Sequence, residues 1–209
     1  MEQVLSVDED EPPLERTIQI KKNNLNSSFK LSSLIVGNRV PHEFFIVQGS
    51  GESNLGYHPG AFDVALEKAG IENFNLISYS SIWPKTAVQV APPIEYVHGA
   101  VLEAITAEAG KDQTNPKRLT AGMIVTKVVK DGKLIGGLVA EYNGTGSKQE
   151  CEDYLKINMA SMVDRRYGKD VEAKSELFIE SIEPKSKYAC ALVVLGFLSH
   201  KVPILGVAN

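Results

Sequence analysis

The apolar positions of this chain fall into short runs separated by polar, glycine-rich stretches, and the character of each run predicts an element. YACALVVLGF, from Tyr188 to Phe197, is almost wholly apolar, as a strand covered on both faces should be. EFFIVQ (Glu43 to Gln48) reads as a strand, and the Gly/Ser/Asn-rich GSGESNLGYHPG after it reads as a loop. GAFDVALEKAG, from Gly60 to Gly70, has helical spacing, with Phe62, Leu66 and Ala69 on one face and Gly70 placed to end it. NFNLISYS and GAVLEAITAEA (Gly99 to Ala109) are further strand candidates.

The second half repeats that order. MIVTKVVKDGKLIGGLVAEY reads as two strands joined at Asp131-Gly132, a dipeptide favoured in tight hairpins. Ser147 to Glu150 fits a capping box, in which serine hydroxyl and glutamate carboxylate satisfy free backbone donors. The helix it opens carries Cys151, Leu155, Met159 and Met162 on one face and stops near Gly168, before the strands ELFIESI (Glu176 to Ile182) and YACALVVLGF. A duplicated strand-helix-strand-strand unit predicts an α+β fold of two packed sheets, each covered by a helix on its outer face. Residues 1–34, with VDEDEPPLER and KKNNLNSS, have little to bury and read as a mobile or subunit-contacting arm before a domain over 35–209.

Composition narrows the function classes. The 209 residues carry a net charge of -4, which argues against nucleic acid and against an anionic membrane surface as partners. No run is long and apolar enough to span a bilayer, and the N-terminus lacks a basic-then-apolar leader, so a cytoplasmic protein is expected. Cys151 and Cys190 stand apart, without metal spacing, and read as buried small residues. His42, His58, His98 and His200 show no ligand spacing either, so no metal is expected. Asn26-Ser27-Ser28 and Asn143-Gly144-Thr145 match a glycosylation pattern but read as turns. Gly49 and Gly51 lack the further glycine or Gly-Lys-Ser/Thr of a phosphate loop, and no serine sits in GxSxG.

Three local features carry candidate chemistry. NLISYSSIWP, from Asn75 to Pro84, ends an apolar run in adjacent serines, Ser80 and Ser81. Serines and a proline at a strand end read locally as a turn. Glu141 closes the apolar run LIGGLVA; it is either a solvated strand end or a desolvated carboxyl with raised pKa, fit to donate a proton. Asp63, in the first helical turn, is a dipole-complementing charge or a ligand for a cationic group.

Taken together and in order, GAFDVALEKAGI, NFNLISYSSIWP, GAVLEAITAEA and GGLVAEYNGTGSKQECE resemble the corresponding segments of pyruvoyl-dependent arginine decarboxylases, over roughly Phe44 to Phe197. The resemblance implies a four-layer αββα sandwich, shared with pyruvoyl-dependent histidine decarboxylases. It implies a proenzyme that cuts itself between Ser80 and Ser81 into chains 1–80 and 81–209, the scissile bond being favoured by strain and by an oxyanion donor. Ser81 is then the precursor of a covalent pyruvoyl group, which replaces pyridoxal phosphate in Schiff-base decarboxylation of L-arginine to agmatine, with no metal. By the same resemblance Glu141 is the proton donor and Asn75 the processing residue and oxyanion donor, while Asp63, Leu66, Phe74 and Ile82 contact the amino acid substrate. Active sites lie between subunits, so a homo-oligomer follows, a trimer of cleaved protomers or a dimer of trimers.

Glu72, Phe74, Ser78 and Tyr79 depart from the usual family residues beside the site. They leave open a decarboxylase of histidine or another basic amino acid. A non-cleaving homologue of the same fold is the remaining alternative. The arm, Gly110 to Arg118 and the tail SHKVPILGVAN match nothing in the family pattern.

Overall fold

The computed structural model describes residues 33–208, so the reading of an N-terminal arm and the Asn26-Ser27-Ser28 turn lie outside the described residues. In chain order the elements are β1 (Ser33–Val36), β2 (Val40–Ser53), a kinked turn (Tyr57–Ala61), α1 (Phe62–Ala69), β3 (Asn75–Ser78), β4 (Ile82–Pro84), β5 (Val88–Gln89) and β6 (Val101–Ala109). They continue with β7 (Leu119–Lys130), β8 (Lys133–Gly144), α2 (Lys148–Tyr167), β9 (Glu172–Ile182), β10 (Tyr188–Lys201) and β11 (Ile204–Ala208). The strands β1 and β11 pair with each other in a two-stranded ladder.

Two sheets make the main unit: β3-β6-β10-β2-β5 and β4-β8-β7-β9. Strand β10 sits in the middle of the first, antiparallel to both β2 and β6. Its alternation explains the layering. Ala189, Ala191, Val193, Leu195 and Phe197 enter the core between the sheets with Phe44, Ile105, Leu119, Met123 and Val139. Cys190, Leu192 and Val194 point the other way, onto Ala61, Ala65, Leu66 and Ala69 at α1. Helix α2 covers the far face of the second sheet, with Cys151, Leu155, Met159 and Val163 on Ile124, Val128, Leu138 and Ala140. The layers are thus helix, sheet, sheet, helix, the α+β sandwich that the periodicity implies.

Local signals act as read at several points. Asp131 (φ 50) and Gly132 (φ 72) take the left-handed conformations of the tight turn between β7 and β8. Ser147 and Glu150 form the reciprocal capping box. Gly70 closes α1 with φ 71.

Four details differ. Strand-helix-strand-strand does occur twice, as β2-α1-β3-β6, with the short β4 and β5 between the last two, and as β8-α2-β9-β10, but β10 joins the first sheet, where the second sheet covers one of its faces and α1 the other. The buried face of α2 takes in Val163 as well, with Met162 packed at its margin, since full burial recurs every fourth residue from Cys151. Asn143 and Gly144 end strand β8 instead of forming a turn.

Finally, the glycine-rich stretch read as a loop begins as strand, for β2 runs on through Ser53. Glycine serves close packing there: a Cβ on Gly49 would lie 2.2 Å from the Ala65 carbonyl oxygen, and one on Gly51 2.4 Å from that of Ala61. Helix α1 therefore rests directly on the β2 backbone. Because backbone cannot move aside as a side chain can, Gly49→Ala should cost about 2 kcal/mol or more in denaturant unfolding, whereas Gly56→Ala, whose Cβ meets nothing nearer than 3.6 Å, should be neutral.

Candidate active site

Strand β3 is an edge of the first sheet and β4 an edge of the second, so the segment between them must cross from one sheet to the other. That segment is Tyr79-Ser80-Ser81. On the first side the Tyr79 N–H donates to the Ala104 carbonyl (2.8 Å), extending the β3–β6 pairing; on the second the Val139 N–H donates to the Ser81 carbonyl (3.0 Å). Between these anchors the Ser80 carbonyl accepts from the Ile82 N–H at 2.7 Å, a three-residue turn centred on Ser81. A backbone donor thus polarises the carbonyl of the Ser80–Ser81 peptide bond.

The Ser81 side chain is held as firmly. Alternation along β8 puts Glu141 on the same face as Val139, toward the space between the sheets. There the Ser81 hydroxyl donates to both carboxylate oxygens of Glu141, Oε1 at 2.7 Å and Oε2 at 3.1 Å. Burial raises the Glu141 pKa above the ordinary carboxylate range; the Ser81 hydrogen bond pulls it back in part. The pair therefore combines a half-buried hydroxyl, a carboxylate able to take its proton, and a carboxyl that retains a proton to higher pH than usual. These features suit Ser81 as the source of a group fixed at that position: its carbonyl is pinned to β8 and its side chain faces an acid.

The other expected residues are not all brought to this point. Asn75 is exposed at the start of β3, and its Nδ2 donates to the Gly99 carbonyl at 2.8 Å. Three extended steps, about 10 Å, separate Asn75 from Ser78 alone, so within one protomer its amide does not reach the Ser80 carbonyl. There the Ser80 carbonyl meets the Ile82 N–H instead. Asp63 is exposed on α1, Leu66 is buried under that helix, and Phe74 packs at the same core while stacking on Tyr96 with centroids 3.9 Å apart. All three belong to the α1 side of the first sheet, opposite to the side facing Ser81 and Glu141. Ile82 follows the serines directly and is 48% exposed.

Two features escaped local reading. The Ile82 backbone donor has no side-chain signal. Glu103 does have one, since it is a carboxylate inside the apolar strand VLEAITAEA; it is 3% exposed and accepts from the Tyr79 hydroxyl at 2.8 Å.

A family model described as pyruvoyl-dependent arginine decarboxylase matches residues 43–202. The chain belongs to this family. Among its relatives, the pyruvoyl-dependent arginine decarboxylase AaxB of Chlamydia abortus is 35% identical over 187 residues, covering 79% of this chain and 94% of that protein. The AaxB of Chlamydia pneumoniae is 33% identical over 186 residues, with the same coverage of 79% and 94%. The pyruvoyl-dependent arginine decarboxylase of Methanococcus maripaludis is 34% identical over 120 residues, 57% of this chain and 69% of that one. The protein is thus a carboxy-lyase of the pyruvoyl-dependent type. Among the described residues no helix is long and apolar enough to cross a membrane.

The Glu141 environment has a measurable consequence. Because its folded pKa is raised, the folded chain holds this proton to higher pH than the unfolded chain does. Its contribution to stability is full below the ordinary carboxylate range and is lost as pH rises through the raised value. In an uncut Ser81→Ala background, which removes the hydrogen bond opposing the shift, Glu141→Gln should raise the melting temperature at about pH 8 and leave it unchanged near about pH 4. Paired thermal scans at the two pH values check this.

Proposed function

We propose that the chain is a self-processing decarboxylase that converts L-arginine to agmatine and carbon dioxide, with a pyruvoyl group made from Ser81. The observation that carries the reading is the contact of Ser81 Oγ with Glu141 beside a carbonyl already polarised by the Ile82 N–H.

Processing follows from those atoms. Oriented by its hydrogen bond to Glu141, the Ser81 Oγ attacks the Ser80 carbonyl carbon as its proton leaves, and the Ile82 N–H bonds to the oxygen on which charge develops. The carbon–nitrogen bond breaks and the proton goes to the departing amine, leaving an ester between Ser80 and Ser81. Loss of the Ser81 Cα proton breaks the Cβ–O bond, freeing the Ser80 carboxylate and leaving a dehydroalanine. Hydrolysis with one water releases ammonia and gives the pyruvoyl end of chain 81–209, while chain 1–80 ends at Ser80. That ketone supplies the electron sink needed when carbon dioxide leaves. Glu141, its pKa raised by burial, then delivers the proton required at the former α-carbon.

Substrate recognition completes the reading. Asp63 is an exposed carboxylate able to meet a guanidinium, and Phe74, stacked on Tyr96, lies on the same α1 side of the first sheet. Because that side is turned away from Ser81 in one protomer, we assign the complete site to neighbouring copies in a trimer, or in a dimer of trimers. Exposed apolar side chains around the crossing, with Ile77 at 48%, Val101 at 57% and Ile82 at 48%, favour such an interface. Catalysis in this reading belongs to the domain over 35–209.

Intact-mass analysis of purified protein should give two chains, one ending at Ser80 and one beginning at position 81, and Ser81→Ala should stay whole. A single full-length mass for the wild-type protein would falsify the reading. Glu141→Gln keeps an acceptor for Ser81 and should cut, but its release of carbon dioxide from arginine should fall by at least about 10²-fold; full activity in that variant removes Glu141 from the proton-donor role. Carbon dioxide release from arginine, lysine and histidine in parallel decides the substrate, and a preference for either of the last two contradicts the arginine assignment.

A further inference from the structure

The side chain just before the scissile pair is tied to a buried carboxylate. Glu103 lies on the inward face of β6, opposite Phe197 in the β6–β10 ladder, and is 3% exposed. Its Oε2 accepts from the Tyr79 hydroxyl at 2.8 Å and lies 2.7 Å from His200 Nε2. Its Oε1 is ion-paired with the Arg39 guanidinium. The Tyr79 ring packs on Phe197, with centroids 5.5 Å apart, and Phe197 also meets His200 at 6.3 Å. A carboxylate this deep is tolerated only with partners on its oxygens; the Tyr79 hydroxyl hydrogen-bonds it, while Arg39 and His200 approach it without hydrogen-bond geometry. None of them touches Ser81 or Glu141 directly.

We infer that Glu103 is a positioning residue for self-cleavage, acting through the Tyr79 hydroxyl; the inference rests on the processing reading above. The geometry explains why one further bond matters. Ser81 is fixed at two points on the second sheet, through its carbonyl to Val139 and its hydroxyl to Glu141. The backbone bond from Tyr79 N–H to Ala104 fixes the other side at one point, about which the chain can still turn. The Tyr79–Glu103 bond adds the second point on the first sheet. With both flanks held twice, the orientation of the Ser80 carbonyl toward Ser81 Oγ is set by both sheets at once. Displacement of about 1 Å at a reacting centre is enough to slow a reaction by about 10²-fold.

The test is the half-time of cleavage of freshly made protein, followed by mass. Tyr79→Phe keeps the ring on Phe197 and removes only the hydroxyl; it should lengthen the half-time by at least about tenfold, the worth of a hydrogen bond to a charged group. Glu103→Leu should slow cleavage at least as much. Glu103→Gln, whose amide oxygen still accepts from Tyr79, should restore a rate within about threefold of wild type. The double variant Tyr79→Phe/Glu103→Leu should be no slower than the slower single variant, because both remove one bond. Cleavage of Tyr79→Phe at the wild-type rate overturns the inference even if Glu103→Leu fails to fold. So does a Glu103→Gln chain as slow as Glu103→Leu, or a double variant whose defects multiply. A wild-type chain that stays whole overturns the processing reading itself, whereas a cutting wild type with an unaffected Tyr79→Phe overturns only the anchor.

Discussion

The passage of one chain segment between two sheets is the constraint on which the site depends. Residues Tyr79 to Ser81 leave an edge strand that belongs to the first sheet and enter an edge strand that belongs to the second. Each end is fastened by a ladder-type backbone bond, to Ala104 on one side and to Val139 on the other. The bond between Ser80 and Ser81 therefore sits where neither sheet sets its geometry alone. It is also where a break disrupts no ladder. After a cut, β2 remains paired with β10 from Val40 to Ser53, and β3 remains paired with β6. Helix α1 stays seated on the glycines of β2, so the N-terminal piece keeps its cover of the core.

The sandwich supplies what the crossing needs chemically. The space between the sheets is filled with Ala, Val, Leu and Phe from β10 and its neighbours, and carboxylates at its margin are partly stripped of water. Glu141 and Glu103 both project into that margin but meet different surroundings. Glu141 has the Ser81 hydroxyl for a partner and, among the described residues, no ion pair, so burial dominates and raises its pKa. Glu103 meets a guanidinium, an imidazole and a phenol, partners that suit a fixed anchor. One residue type is thereby suited to proton transfer in one place and to holding the chain in another.

Much of this was legible in the sequence where the signal is local. The unbroken apolar run of β10 announced a strand covered on both faces, Asp131-Gly132 announced a hairpin, and Ser147 to Glu150 a helix start. The adjacent serines and Glu141 stood out through resemblance, and the structure brings Ser81 into contact with Glu141. What stayed hidden depends on distant partners. Gly49 and Gly51 looked like loop residues because glycine composition is the same whether it frees a turn or admits a helix backbone. No local pattern says that β10 inserts between β2 and β6, that the Asn75 amide is taken by Gly99, or that a main-chain N–H faces the Ser80 carbonyl.

The central claim is that the crossing peptide becomes a ketone at position 81. Treating the purified protein with a carbonyl-reactive hydrazine and mapping the adduct by fragment mass tests it most directly. The account predicts a single label on the first residue of chain 81–209 and none on chain 1–80. An unlabelled protein, or a label anywhere other than position 81, would contradict it.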